Sequence, residues 1–199
     1  MSVGIIFSLI LFGIVFISLF YLVSIYNSLI RFKNEYKNSF SQIDVQLQRR
    51  YDLIPNLVNV AKEYMAHEKE TLEGVIKARN QALKSETSLK KNPESSKAVK
   101  DFNTAEASLN KSMGGFFALF ENYPDLKANS TMNAMMEELS STENKVGFAR
   151  QHYNDSVMQY NIGIQEFPNN FLAGIFNFGN VDQLELESEE ARKAVKVEF

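Results

Sequence analysis

The side chains best suited to catalysis or metal binding are scarce in this sequence and poorly spaced. Cysteine and tryptophan are absent, and the two histidines are His67 and His152. His67-Glu68 begins like a helical metalloprotease motif, but Thr71 stands where the second histidine ligand is required. No Glu-x-x-His pair indicates a di-iron bundle, and no glycine-rich phosphate loop or Ser–His–Asp arrangement can be placed. The sequence therefore predicts no catalytic, metal-binding or cofactor-binding residue, and no enzyme.

Charge divides the chain of 199 residues into three parts. Residues 1–30 carry no charged side chain, and residues 182–199 hold six acids and three bases. Subtraction from the totals of 24 acids and 21 bases leaves 18 of each in residues 31–181, a balance typical of a soluble helical body. The net charge of −3 gives no indication of nucleic-acid binding. The 4 prolines and 9 glycines are few for this length, which favours long helices.

The apolar stretch at residues 3–25 predicts a transmembrane anchor within residues 1–30. At about 1.5 Å per residue, it is longer than the roughly 30 Å hydrocarbon core of a bilayer. A cleaved signal peptide is the competing interpretation, but no basic residue precedes the stretch and no small-x-small cleavage site follows it. The bases lie on the other side: Arg31, Lys33, Lys37, Arg49 and Arg50. The positive-inside rule then places the N-terminus outside and the body in the cytoplasm.

Apolar residues in the body recur at steps of three and four, with a coiled-coil-like seam. This pattern predicts an all-α fold, in which the transmembrane helix continues into an antiparallel up-and-down four-helix bundle at residues 31–167. The predicted helices are 31–54, 56–90, 93–122 and 130–167. Asp52 and Pro55 are expected to cap and restart a helix, and Asn92-Pro93 to do the same. Residues 168–199 form an aromatic segment and a charged tail.

Five charged residues fall in register with the apolar seam. Burying a charge without a partner is costly, so we expect these residues to pair across helices and to fix the register of the bundle. This structural role is favoured over catalysis or proton relay. The residues are Arg50, Glu68, Arg79, Glu143 and Arg150.

The topology gives the bundle two ends with different surroundings. The segment at 167–179 returns to the membrane, where it either lies in the lipid interface or folds back as a plug on the open end of the bundle. Its apolar side chains are Phe167, Phe171, Leu172, Ile175, Phe176 and Phe178. The turns at 49–55 and 121–130 meet at the far end and are predicted to expose a partner surface. Its residues are Arg49, Tyr51, Asp52, Glu121, Tyr123 and Asp125.

Several motifs together carry a resemblance to a known family. They include IDVQLQRRYDLIPNLV at 43–58, His67-Glu68, Ala78-Arg79, ENYPDLKAN at 121–129, Ala149-Arg150, Tyr153-Asn154 and Tyr160-Asn161. In these residues the chain resembles the LemA family of bacterial membrane-anchored proteins. The ending at 195–199 also looks like the family's extended ending, although the proline expected before Val195 is absent. The resemblance implies a helical bundle anchored in the bacterial cytoplasmic membrane with its N-terminus outside, and it implies no reaction.

Two functional hypotheses follow, and both have the lipid bilayer as a partner. In the first, the protein is a non-enzymatic single-pass scaffold that forms homo-oligomers and organises or remodels the membrane. The alternative is a membrane-tethered adaptor that binds an unknown protein partner, for example a membrane-protease system, through the distal turns. The resemblance allows both, because some LemA relatives are associated with shaping intracellular membranes and others lie beside membrane-protease genes.

Overall fold

Six helices make up the described part of the chain, residues 3–185 of a computed structural model. They are α1 (Val3–Lys62), α2 (Lys69–Lys91), α3 (Ser96–Phe120), α4 (Pro124–Lys127), α5 (Ser130–Gln165) and α6 (Asn169–Ile175). No strand occurs between residues 3 and 185, and the all-α prediction is confirmed. The part of the charged tail at 186–199, including the ending at 195–199, lies outside the described residues.

Helix α1 joins the apolar stretch to the bundle without a break, as predicted. It has 60 residues, and none of the residues in its most apolar window is buried inside the protein. From Ile25 onward, one face of the same helix is buried against other helices. A helix that is apolar on every side and unpacked is suited to lipid, whereas an amphipathic one is suited to a protein core. The first part of α1 is long and apolar enough to cross a membrane.

The predicted helix break at 52–55 is wrong, because α1 continues through Pro55 to Lys62. Proline has no N–H group, so the carbonyl four residues earlier, that of Tyr51, loses its donor within the helix. Arg79 on α2 replaces that donor, since its Nε donates to the Tyr51 carbonyl at 2.8 Å. The distal turn consequently lies at 63–68 and not at 49–55.

Two other helix starts differ from the predictions, and one agrees. Helix α3 begins after Ser95, whose side chain accepts a hydrogen bond from the backbone N of Ala98, so Asn92-Pro93 lies in the connection instead of capping the helix. Pro124 opens the short α4 instead of only ending the preceding helix. Asn129 caps α5 as predicted, accepting from the backbone N of Met132 at 3.0 Å.

The main packing contacts join α1 to α5, α1 to α2, and α2 to α3. At the α1–α5 contact, a Cβ on Gly163 would lie 2.9 Å from Phe32 Cδ2, so any larger residue there would displace the Phe32 ring. Further from the membrane, Tyr36 packs against the rings of Tyr153 and Tyr160, with centroids 6.5 and 5.1 Å away. These buried rings lie in the half of the core that is nearer to the apolar part of α1.

After α6, the chain runs back along α5 in an extended conformation. Two asparagines of α5 hold its backbone by paired amide bonds. Asn161 donates to the Val181 carbonyl at 2.8 Å and accepts from its N at 3.0 Å, and Asn154 binds Leu184 in the same way at 2.8 and 2.9 Å. Seven helical residues and three extended residues both span about 10 Å, so the two spacings match.

Candidate functional site

Glu106 of α3 is the centre of a buried ion cluster between three helices. Its Oε2 lies 3.0 Å from Nη1 of Arg50 on α1 and also accepts a hydrogen bond from Arg150 on α5. Its Oε1 accepts from the Tyr51 hydroxyl at 2.7 Å. Burial and the Glu106 carboxylate raise the pKa of Tyr51, so the tyrosine stays a neutral donor. Since every contact fixes one helix against another, the cluster is suited to setting the register of the bundle.

The other predicted seam charges lie at the edge of this cluster or outside it. Glu143 is half-buried, with Oε1 3.3 Å from Nη2 of Arg50. Glu68 is also half-buried and accepts from the Tyr123 hydroxyl at 3.2 Å. Arg79 binds the α1 backbone, as described above. Glu68, Arg79 and Glu143 are therefore only partly buried, where the sequence predicted burial. Arg79 and Glu143 each bond to another helix, and Glu68 bonds to Tyr123 in the connection after α3.

The sequence analysis missed Glu106, although its position carried a signal. The steps of three and four that predict α3 were taken through Ala98, Phe102, Ala105 and Leu109, so this seam passes one residue from Glu106. Steps of three and four also connect Val99, Phe102, Glu106 and Leu109, and all four are buried. The charges gave a second signal, because the five predicted seam residues included three arginines and only two glutamates. A third buried acid was needed to balance them.

A second buried acid, Glu86 of α2, was also missed. It shares a hydrogen bond with Asp44 of α1, and Lys90 Nζ lies 2.6 Å from Asp44 Oδ2. Burial and the neighbouring Asp44 raise the pKa of Glu86 to about 7, whereas the pKa of Asp44 is lowered. At pH values below about 7, Glu86 therefore holds the proton and donates it to the Asp44 carboxylate. No group of three or more potential metal ligands occurs among residues 3–185.

The distal surface differs from the prediction in two respects. Arg49, Asp52, Glu121 and Asp125 are exposed and Tyr123 is half-buried, but Tyr51 is fully buried in the ion cluster. Because α1 continues to Lys62, residues 49–52 lie about 15 Å below the tip. They do not meet the turn at 121–129. The residues that do meet it are on the 63–68 connection, where the Tyr64 hydroxyl accepts from Asn129 Nδ2 at 3.1 Å.

The membrane-proximal end carries a row of exposed apolar side chains, here called the α6 patch: Phe167, Phe171, Ile175 and Phe176. The first three are 79%, 65% and 70% exposed and follow one another at steps of four residues. The Phe176 ring packs 4.7 Å from that of Tyr26, next to the point where the apolar part of α1 ends. The patch thus adjoins the region of α1 that is apolar on every side.

Other side chains of the same segment face the protein. Leu172 and Ala173 are buried, and the half-buried Phe178 ring packs 6.1 Å from Tyr26. Lys33 Nζ lies 5.8 Å from the centroid of the Phe178 ring. The segment therefore does fold back on the bundle end, as one alternative predicted. It does so with one face, and the opposite face is left open.

Comparison with known proteins identifies relatives over most of the chain. Magnetosome protein MamQ of Magnetospirillum gryphiswaldense is 26% identical over 172 residues, which cover 79% of this chain and 63% of that protein. MamQ 2 of Paramagnetospirillum magneticum is 27% identical, with coverages of 77% and 62%. Protein LemA of Metamycoplasma hominis is 26% identical over 196 residues, covering 94% of this chain and 85% of that relative. The chain spans about three fifths of the length of the magnetosome relatives.

The family comparison agrees with these relatives. The sequence model of the LemA family matches residues 39–199. That range includes the ion cluster, the paired asparagines of α5 and the α6 patch. Together with the apolar first part of α1, these relatives indicate a membrane-associated protein. The resemblance noted in the sequence is confirmed, and the chain belongs to the LemA family.

Proposed function

We propose that this protein is a non-enzymatic, single-pass membrane scaffold that self-associates and organises or remodels the bilayer. The α6 patch acts as its second bilayer contact. The observation that carries the proposal is the position of this patch: its exposed side chains adjoin Tyr26, at the end of the apolar part of α1. Contiguous exposed apolar surface of this kind marks an interaction site, and here the nearest apolar phase is lipid.

Two contacts with one bilayer restrict the orientation of the bundle more than a single anchor does. Helix α1 enters the bundle without a hinge, since its helical structure is continuous from Val3 to Lys62. The patch sits beside that helix and inserts into one leaflet only. Side chains that occupy the interface of one leaflet expand that leaflet relative to the other. Many copies assembled side by side would therefore bend the bilayer or stabilise a bilayer that is already bent.

The absence of tryptophan from the chain allows a direct test of the lipid contact. Phe171→Trp places a single fluorophore in the α6 patch of the full-length protein, which is then reconstituted in vesicles containing spin-labelled lipid. Labels near the headgroups should quench the Phe171→Trp fluorescence strongly, because the patch lies at interfacial depth. Labels at the bilayer centre should quench it weakly.

Phe148→Trp gives the matched control. Phe148 is 74% exposed on α5, near the level of the ion cluster. Arg50 of that cluster lies about 37 Å along α1 from Ile25, so the fluorophore of the Phe148→Trp variant should escape quenching from either depth. Equal quenching of the two variants, or quenching of neither, would contradict the proposed contact between the α6 patch and the bilayer.

Self-association needs its own measurement. Mass photometry of the full-length protein extracted in native lipid should give a distribution well above one copy. Electron microscopy of reconstituted vesicles should show altered vesicle shape. Phe171→Ser together with Ile175→Ser removes two exposed side chains and should abolish the shape change while the helical circular dichroism is retained. A strictly monomeric protein that leaves vesicles round would contradict the scaffold.

One distal feature favours the alternative, an adaptor for a protein partner. A groove of about 350 Å³ lies between the end of α1 and α2, where Lys62, Lys77 and Glu73 surround the apolar Leu72 and Ile76. Two cations and one acid leave the rim with a net positive charge, which suits an acidic, partly apolar peptide. Lys77→Glu should then release a crosslinked partner without lowering the unfolding midpoint. An unchanged set of crosslinked proteins would count against the adaptor.

A further inference from the structure

The α6 patch lies in a stretch of the chain that has no charge. Residues 167–181 contain no Asp, Glu, Lys, Arg or His. The polar residues around the exposed side chains are neutral amides, including Asn169 and Asn170. Interfacial helices usually carry Lys or Arg on the polar face, which adds attraction to anionic headgroups. This segment has only apolar burial to drive its insertion.

The nearest cations on α1 do not replace the missing charge, because acids lie beside them. Glu94 Oε1 lies 2.8 Å from Lys33 Nζ and 3.6 Å from Lys37 Nζ. Lys33 also lies over the Phe178 ring, on the packed side of the segment. Arg31 is exposed and adds one cation beyond this group. Glu35 on the same stretch of α1 and Glu166 directly before Phe167 are exposed as well, so these three cations stand against three acids and the surface around the patch is close to neutral.

Apolar side chains enter an interface only where the headgroups leave apolar tails accessible. Strongly curved bilayers, and bilayers of unsaturated or small-headgroup lipids, expose more of their tails than flat, well-packed ones. A segment that inserts without electrostatic help responds to that difference, and its binding is sensitive to curvature and composition. A basic segment responds instead to surface potential and to salt.

We infer that the α6 patch senses lipid packing: it inserts into curved or loosely packed bilayers, and its insertion does not depend on anionic lipid. The inference rests on the proposed second bilayer contact and names the property of the bilayer that controls it. A scaffold built this way would favour membrane that is already curved, so each inserted copy would make insertion of the next one easier.

The test uses full-length protein carrying Phe171→Trp in vesicles with headgroup-level spin-labelled lipid. Two variables are changed separately. The first is vesicle size, with small sonicated vesicles against large extruded ones of the same zwitterionic lipid. The second is charge, with half of the lipid replaced by an anionic lipid of the same chains. Quenching of the fluorophore should rise about twofold in the small vesicles and stay constant with anionic lipid and with added salt.

A second variant, Asn170→Lys in the Phe171→Trp background, restores a cation beside the patch. Asn170 is exposed, so the substitution has room. This variant should gain quenching when anionic lipid is added and lose that gain in salt. A response of Asn170→Lys no different from that of its parent would overturn the role given to the missing charge.

The two proposals fail in different ways. Quenching of the Phe171→Trp variant that is equal in small and large vesicles but follows the anionic fraction overturns the packing inference and leaves the second bilayer contact standing. Absence of quenching in every vesicle overturns both. Quenching that follows vesicle size alone supports both.

Discussion

At the scale of single residues, Arg79 is the side chain whose role is most specific to this fold. It donates to the Tyr51 carbonyl, which Pro55 leaves without a helical donor. Arg79→Met keeps much of the aliphatic stem and removes the donor, so the free energy of unfolding should fall by about 1–3 kcal/mol. Pro55→Ala returns an N–H to α1. In that background the same substitution should cost about 1 kcal/mol less.

This coupling can be measured by a double-mutant cycle on the detergent-solubilised full chain, with unfolding followed by circular dichroism. Arg79 also lies 3.6 Å from Asp52, whose side chain is exposed, so this ion pair contributes little. Asp52→Asn alone therefore serves as the control for that pair. Additive costs of Arg79→Met and Pro55→Ala would show that the carbonyl bond is not what Arg79 supplies.

Glu86 makes the stability of the protein depend on pH. Burial raises its pKa from 4.5 to about 7, so the folded state holds a proton that the unfolded chain releases between those values. The resulting stability is complete below pH 4.5 and is lost as the pH rises through 7. Glu86→Gln keeps a donor for Asp44 and does not titrate. From about pH 5 to about pH 8, it should gain about 2 kcal/mol of stability relative to the original protein.

Denaturant titrations at the two pH values test this expectation. Glu73→Gln supplies the control, since Glu73 is exposed on the same helix and pairs with Lys69 at 3.7 Å. A difference between Glu86→Gln and the original protein that stays constant across this pH range would mean that Glu86 is ionised in the fold.

At the scale of elements, the sequence predicted what periodicity controls and missed what tertiary contacts control. The four long helices follow from apolar residues at steps of three and four, and the Asn129 cap follows from local hydrogen bonding. The path of α1 through Pro55 was not predictable locally, because its compensating donor is 28 residues away on another helix. Glu106 was missed because two seams one residue apart fit the apolar residues of α3 almost equally well.

The paired asparagines of α5 belong to this scale as well. The sequence showed the two motifs Tyr153-Asn154 and Tyr160-Asn161, but it did not show that the tyrosine and the asparagine of each motif have different roles. The tyrosines face the core, and the asparagines hold the extended chain at Val181 and Leu184. A side chain that binds backbone leaves no pattern in the sequence of its partner.

Asn154→Ala should therefore release the extended segment before it affects the helices. The substitution leaves the N–H and carbonyl of Leu184 without their partners in a buried position, at a cost of about 1–3 kcal/mol. Hydrogen exchange at Leu184 should accelerate while exchange in α1 and α2 stays slow. Asn144→Ala, on an exposed turn of the same helix, is the matched control. Unchanged exchange at Leu184 would show that Asn154 does not hold the segment.

At the scale of the whole molecule, the charge bias next to the apolar part of α1 predicts which side of the membrane carries the bundle. The bases Arg31, Lys33 and Lys37 follow the span and none precedes it, so the bundle should be cytoplasmic. The chain has no cysteine, so an introduced one reports its own location. Gln151→Cys on the exposed face of α5 should react with a membrane-impermeant maleimide only after spheroplasts are permeabilised, whereas Ser2→Cys should react in intact ones.

The same experiment tests whether the membrane anchor alone determines orientation. Replacing Arg31, Lys33 and Lys37 with glutamine, while adding two lysines after Met1, reverses the bias and should invert the labelling pattern in a fraction of the molecules. A folded 36-residue α5 and its partners resist translocation, so inversion is expected to be partial. Labelling of Gln151→Cys in intact spheroplasts of the original chain would place the bundle outside. The α6 patch would then meet the outer leaflet, and the same packing argument would apply to that side of the membrane.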